Sequence, residues 1–422
     1  MKTWAPLLFS LALIAQDDAQ ELLRQGALLN QRGQFDKAAP ILERAVRAAP
    51  QSAAARMELA VCLARLHRYK DASEALRTVR PPKSAPQLLL YRRLKASIAS
   101  GNEEHAAAAS EMELALDLAP ADKDLLLATA VAEFRASLLD KALAHAQSAK
   151  SIQNSAAIEN LIGDIQEKRG DSLAAVHSYQ AAVELAPDNE QFRLALALEL
   201  LRHHTSDPAI LVLEQAIKRF PSSLKINVAL ALGYFLVNRD ADATQVLLQA
   251  MRLDSGRDFV LQYLSELLIT QGDTPDPAVV TEICDDADAH PMSGRGQAVC
   301  GGLLLRVQVD RGDTSRHDEL LQRLRKAVAL APKDDTARCQ LGKALALDQR
   351  WPEARKQMEE CARLVPDSTE WHYQLARIYL RLGLRDLAKE QERLRSEADK
   401  KLAAASQMRY ATLSKFLYAL NP

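Results

Sequence analysis

Residues 19–50 read AQELLRQGALLNQRGQFDKAAPILERAVRAAP, and the end of that stretch is a phrase that returns along the chain. Ala38 is followed by Ala45 and then by Pro50. The same spacing recurs as Ala108, Ala115, Pro120, as Ala175, Ala182, Pro187, as Ala209, Ala216, Pro221 and, altered, as Ala354, Cys361, Pro366. Pro187 and Pro221 lie 34 residues apart, as do Pro332 and Pro366. A fixed period of this size marks a stack of identical supersecondary units with no single central core. Within the quoted stretch, Leu22, Gly26 and Leu29 recur at helical spacing before a turn at Gln31-Arg32-Gly33. Phe35, Ala38, Leu42, Ala45 and Val46 recur at the same spacing up to Pro50. Both halves therefore read as short amphipathic helices. Gly26 and Ala38 let the helix axes approach closely, and Pro50 stops the second helix. Neither helix is long enough to be stable alone in water, so each unit buries its open face on the next.

These residues resemble the tetratricopeptide repeat (TPR), a 34-residue helix-turn-helix with small residues at the helix crossing and a closing proline. About eleven degenerate units start near Ala19, Ala53, Leu89, Lys123, Ala156, Glu190, Leu224, Asp258, Gly301, Asp335 and Thr369. The fourth-position aromatic of the family is replaced by residues such as Leu22, Leu126 and Leu304, and its eighth-position glycine survives as Gly26, Gly163 and Gly342. The resemblance implies an all-α, right-handed α-solenoid. Residues 1–18 are expected as a signal peptide and short leader, 19–272 as units one to eight, 273–300 as an irregular longer-loop region, 301–402 as units nine to eleven, and 403–422 as a C-terminal capping helix. Two stretches break the period: the proline-rich connector Arg80–Pro86, and the segment Asp273–Arg295 with Pro275, Pro277, Pro291 and Gly294, read as a degenerate repeat with longer loops rather than a hinge because Val279–Ala289 still reads as a helix. Met408–Leu420 reads as the cap's amphipathic helix, through Leu413, Phe416, Leu417 and Leu420.

The 422 residues carry 54 Lys+Arg against 55 Asp+Glu, a balance that gives no general pull toward nucleic acid or an anionic membrane. Lys2 precedes an uncharged stretch, Trp4–Ala15, which Asp17 and Asp18 end. That layout resembles a secretory signal, with a cut expected after Ala15 or Ala19, and the stretch is too short to span a bilayer. An exported, periplasmic or secreted protein is expected, and a cytoplasmic one if the stretch is not a signal. The cysteines are Cys62, Cys284, Cys300, Cys339 and Cys361. Cys284/Cys300 and Cys339/Cys361 are the pairs that could bridge, but sequence does not supply the geometry that decides. Five buried thiols is the reading adopted.

No metalloprotease, dinucleotide, phosphate-loop or nucleophile-elbow motif occurs. His203-His204 beside Asp207 reads as a solvated turn, Cys300-Gly301-Gly302 as a helix start, and Asp285, Asp286 and Asp288 as a solvated face without the glycine and closing glutamate of a calcium loop. No catalytic, metal or cofactor site is predicted, and no buried cluster of ionisable residues is advertised. The resemblance implies that the first helix of each unit lines a groove. Unit four offers Leu127, Val131 and Phe134 to it, unit five the polar Asn160, Asp164 and Glu167, unit six Leu194, Leu198 and Leu201, and unit seven Val228, Leu232 and Phe235. An apolar trough with a polar rung suits an amphipathic helix or an extended peptide. The same stripes can equally be packing between neighbouring first helices. The expected function is a non-catalytic scaffold that binds other proteins and assembles envelope or secreted complexes, with no nucleic acid and no membrane span. The alternative is a regulatory or substrate-recruiting subunit of an enzyme whose active site is on another chain.

Overall fold

The computed structural model describes residues 5–253, 257–271 and 274–404. Among the described residues there are 22 α-helices, one π-helical stretch and no strand. The chain divides into two compact bodies, Met1–Pro187 and Asp188–Pro422. In the first body the helices are α1 (Ala5–Gln31), α2 (Phe35–Ala48), α3 (Ala53–Arg65), α4 (Tyr69–Leu76), α5 (Ala85–Gly101), α6 (His105–Leu116), α7 (Lys123–Arg135), α8 (Leu139–Ile152), α9 (Ala156–Arg169) and α10 (Ser172–Leu185). In the second they are α11 (Glu190–Arg202), α12 (Ser206–Arg219), α13 (Leu224–Leu236), α14 (Asp240–Met251), α15 (Arg257–Ser265), α16 (Pro277–Ala289), α17 (Gly294–Arg311), α18 (His317–Leu330), α19 (Asp335–Leu347), α20 (Trp351–Leu364), α21 (Thr369–Arg381) and α22 (Arg385–Ala404). The π-helical stretch Glu266–Gln271 continues α15. Each odd-numbered helix except α15 pairs with the even-numbered helix after it, α15 lying instead against α14 and α17, and in each body the hairpins stack as an all-α solenoid.

Two local devices recur along the hairpins. The first helices begin on a short polar side chain: Ser52, Asp122, Ser155, Asn189, Ser223, Ser293, Asp334 and Ser368 each accept a hydrogen bond from a backbone N–H of the following turn. Seven of these caps stand two residues after a proline, as in Pro50-Gln51-Ser52 and Pro366-Asp367-Ser368. The proline ends one unit and the cap opens the next, each cap contributing about 1 kcal/mol. The turn inside ten of the hairpins carries one left-handed residue. It is Gly33, Gly170, Gly312 or Gly383 in four hairpins, and His67, Glu103, Ser137, His204, Asn238 or Gln349 in six others.

The small residues of the repeated phrase are buried. Ala38, Ala45, Ala115, Ala182, Ala216 and Cys361 are fully buried, and each leaves room for the helix it faces. A Cβ added at Gly26 would stand 2.4 Å from Leu42 Cδ2, and one at Gly163 would stand 2.7 Å from Tyr179 Cε1.

Several boundaries differ from the sequence reading. α1 runs unbroken from Ala5, so the boundary placed at residue 18 falls inside a helix, because Gln16-Asp17-Asp18 holds neither proline nor glycine. No helix among the described residues is long and apolar enough to cross a membrane. The third unit starts at Ala85 rather than Leu89, with Pro86 in its first turn. In the region 273–300 the helix expected over Val279–Ala289 is α16, and the start of α17 follows it, so less of the segment is loop than expected. Asp276 caps α16, and Ser293, two residues past Pro291, caps α17 seven residues before the expected Gly301. The extra length of this segment is carried mainly by α17, which has 18 residues where its neighbour α19 has 13. Cys300-Gly301-Gly302 is therefore mid-helix, with the two glycines closely approached by Leu324 and Ile269. At the far end α22 extends to Ala404, and the capping helix expected over 408–420 lies outside the described residues.

Both cysteine pairs left open in sequence are bridged. Cys284–Cys300 joins α16 to α17 and Cys339–Cys361 joins α19 to α20, which corrects the reading of five thiols. Adjacent antiparallel helices bring these Cα atoms to 5.0 Å in both pairs, within the reach of a disulfide. Cys62 is free and buried, its thiol donates to the Phe35 carbonyl at 3.2 Å, and burial pushes its pKa up to about 11.

Candidate functional site

The eleven groove residues inferred from the resemblance fall into two groups. On α7, Leu127, Val131 and Phe134 are half-buried, resting on the core formed by α5 to α9 while keeping part of their surface open. The Lys168 ammonium sits 5.0 Å from the Phe134 ring centre. On α9, Asn160 and Asp164 are also half-buried, one helical turn apart. Asn160 Nδ2 donates to Asp164 Oδ2 at 3.1 Å, and the Tyr179 hydroxyl donates to Asp164 Oδ1 at 2.8 Å. The same hydroxyl lies 3.2 Å from Glu167 Oε2, so the polar rung is held by a tyrosine from the second helix of its own hairpin. The Asn160 carbonyl oxygen is buried and has no hydrogen-bond partner among the described residues.

In the second body Leu194, Leu198, Leu201, Val228, Leu232 and Phe235 are all buried, at 0–7% exposure. These six belong to the core, and their placement in an open trough is corrected. The physical reason lies in the helices themselves. Every residue of α13 from Ile226 to Leu236 is buried, and α11 is buried at all but one position from Arg193 to Leu201. A helix with no polar side has no face to give to solvent. The pocket that Val228, Leu232 and Phe235 border with Tyr263 and Leu267 is about 20 Å³, room for one water and not for a peptide side chain.

A second concavity, not anticipated from sequence, lies among α17, α19 and α21. It has a volume of about 180 Å³ and is bordered by Val309, Leu347, Trp351, Lys343, Arg377 and Arg381 among others. Val309 and Leu347 are 47% and 50% exposed there. The signal in sequence was slight: Val309 and Leu347 are apolar residues near the ends of first helices, and both are exposed.

Buried charge was also missed. Glu133 on α7 is fully buried, and His145 Nδ1 lies 2.8 Å from its Oε2. Burial raises the Glu133 pKa, against the pull of His145, and the neighbouring Glu113 raises it further. Glu113 is itself held below the usual carboxylate range by Lys141, whose ammonium donates to it at 2.6 Å. This network ties α6, α7 and α8 together. Arg323 is similarly buried, donating to both oxygens of Asp288 at 2.9 and 2.8 Å and to Glu319 at 2.9 Å, so Asp288, 62% exposed on the solvated face, is also its ion-pair partner. His203 Nε2 lies 3.1 Å from Glu199, and His204 is the left-handed residue of its turn. Among the described residues no group of three or more His, Cys, Asp or Glu converges to hold a metal ion.

Two family models match the chain, both described as tetratricopeptide repeat, one over residues 29–98 and one over residues 160–223. No curated protein matches the sequence. Among solved structures, YrrB, described as a TPR protein with an unusual peptide-binding site, shows 16% identity and a TM-score of 0.35 over 46% of this chain and 96% of its own. Yeast Tom70 shows 15% identity and a TM-score of 0.41 over 95% of both chains. The C-terminal part of a TPR repeat-containing protein from Cytophaga hutchinsonii shows 14% identity and a TM-score of 0.44 over 68% of this chain and 99% of its own. The repeated helix hairpins and the matched stretches 29–98 and 160–223 show a tetratricopeptide repeat protein, a fold that supports a protein-interaction scaffold in general.

Proposed function

We propose that this protein is a non-catalytic scaffold that holds peptide or helical segments of partner proteins against the first helices of its repeats, in the assembly of envelope or secreted complexes. The observation that carries the reading is the contrast between two sets of equivalent positions. Leu198 and Leu232 are core, whereas Leu127, Val131 and Phe134 keep part of their apolar surface open, with the half-buried polar pair Asn160 and Asp164 on the next first helix. Partly open apolar anchors with a polar rung match what an amphipathic or extended segment presents. The bridged pairs Cys284–Cys300 and Cys339–Cys361 support export, since disulfides persist in oxidising compartments. The test is crosslinked pull-down of the tagged chain from its native cells, alongside a Val131→Asp/Asn160→Ala variant, with mass spectrometry of the mature N-terminus. Partner recovery lost in the variant at unchanged helical circular dichroism, and an N-terminus near Gln16 or Gln20, are expected. Equal recovery by the variant would remove α7 and α9 as the site, and an intact Met1 with cytosolic partners would overturn export.

A further inference from the structure

We propose that the pocket among α17, α19 and α21 receives an acidic, aliphatic segment of a partner protein, one apolar side chain seated on Val309, Leu347 and Trp351 and a flanking carboxylate held by Arg377 and Arg381. The inference rests on the scaffold reading and adds to it a second docking surface with a stated partner chemistry. The floor is apolar and open, with Val309 and Leu347 about half exposed. The rim is cationic: Lys343, Arg377 and Arg381 border the pocket and no carboxylate does.

The state of those arginines is the decisive observation. On the neighbouring helix Arg350, Arg355 and Arg363 each bind a glutamate, Glu353, Glu359 and Glu360, at 2.7 Å. Among the described residues no carboxylate pairs with Arg377 or Arg381. There the two lie against rings, Arg377 at 5.6 Å from Tyr373 and Arg381 at 5.9 Å from Trp351. A guanidinium at the end of α21 complements the helix dipole, which by itself accounts for Arg381. It does not account for Arg377 one turn earlier, nor for Lys343 arriving from α19 with its ammonium shared between Glu370 at 3.1 Å and the Trp371 ring at 6.0 Å. Guanidinium forks lying on aromatic rings beside an apolar floor are arranged to accept a carboxylate in paired hydrogen bonds while the ring side takes hydrocarbon.

The experiment is fluorescence anisotropy of the purified full-length chain with a labelled amphipathic peptide of leucine and glutamate. Three comparison probes are the same peptide with lysine for glutamate, the same peptide with serine for leucine, and a single-stranded oligonucleotide. The leucine–glutamate peptide is expected to bind, more weakly as salt is raised. Arg377→Glu/Arg381→Glu, and separately Leu347→Asp, are expected to weaken it by about tenfold or more. The milder Arg377→Gln/Arg381→Gln removes the charges without reversing them and guards against a folding defect. Equal binding by these variants, or equal binding of the leucine-free peptide or the oligonucleotide, would overturn the proposal. Full partner capture from cells by the arginine variants, with capture still lost in Val131→Asp/Asn160→Ala, would sink this surface alone and leave the scaffold reading standing. Loss of all capture dependence on both surfaces would sink both.

Discussion

Replacing Leu198 or Leu232 by alanine distinguishes a core from a groove. Both side chains are nearly inaccessible, at 3% and 4% exposure. Burying a leucine contributes about 1.5–3 kcal/mol from its apolar area alone. Truncating it in a packed interior adds the cost of the hole left behind, for a total of about 2–5 kcal/mol. Had these residues lined an open trough, the same change would fall within about 0.5 kcal/mol and act on binding instead. The assay is urea unfolding followed by circular dichroism at 222 nm (the usual helical signal), comparing midpoints at unchanged slope. Leu198→Ala and Leu232→Ala should each lower the midpoint strongly, while Val131→Ala, at a half-exposed position, should cost distinctly less. A stability near wild type for Leu198→Ala combined with loss of partner capture would refute the placement of α11 and α13 in the core.

The turns, bridges and buried charges give further expectations. A Cβ at Gly170 would meet nothing within 4 Å, so Gly170→Ala isolates backbone strain at φ 84° and should cost about 1–2 kcal/mol in the same unfolding assay. Gly163→Ala instead presses on the Tyr179 ring and should cost about 1–3 kcal/mol by overpacking, and a neutral result would show that the ring moves aside freely. The loops closed by Cys284–Cys300 and Cys339–Cys361 span 16 and 22 residues, so removing either bridge as a paired Cys→Ala change should cost about 3 kcal/mol. Alkylation of the unfolded, unreduced chain followed by mass spectrometry should find one modified cysteine, Cys62, and five would contradict the pairing. Because Glu133 has a raised pKa in the fold, the folded state binds more protons than the unfolded one above the ordinary carboxylate value of 4.5. That group's contribution to stability is therefore lost as pH rises from 4.5 through the folded pKa, and Glu133→Gln should flatten this dependence in unfolding curves taken across that range. An unchanged slope would exclude Glu133 as its source.

Much of the architecture was legible because the repeat writes the same physical instruction many times. Ala38, Ala45 and Pro50 say where two helices touch and where the second stops, and the equivalent residues say it again four units on. The helix starts at Ala53, Lys123, Ala156, Glu190, Leu224, Asp335 and Thr369 follow from that phrase. The start at Gly294 was missed although its signal was present, since Pro291-Met292-Ser293 is the same proline-and-cap pair that precedes α3, α7 and α19. The site was less legible. Spacing puts Val131 and Leu232 on corresponding faces of their helices, but it does not say what lies over each face. Only the absence of any polar side on α13 announces that Leu232 is covered. Spacing was also silent on the bridges, because Cβ separation depends on the crossing of helices rather than on the count of residues between cysteines. Glu133 and His145 could not be paired from sequence, since an ionisable residue on a helix is read as solvated until its neighbours are placed. The pocket at Arg377 and Arg381 depends on which arginines lack a carboxylate, and that is a property of three helices together.

The central claim is that partner segments lie against the half-exposed face of α7 and α9. Its most direct test is a photoreactive amino acid placed in turn at Val131, at Phe134, at the buried Leu232 and at Leu173, which is 69% exposed on α10. Irradiation in native cells should give adducts with partner chains from positions 131 and 134 and none from 232 or 173. Adducts from 173 with none from 131 or 134 would contradict the account.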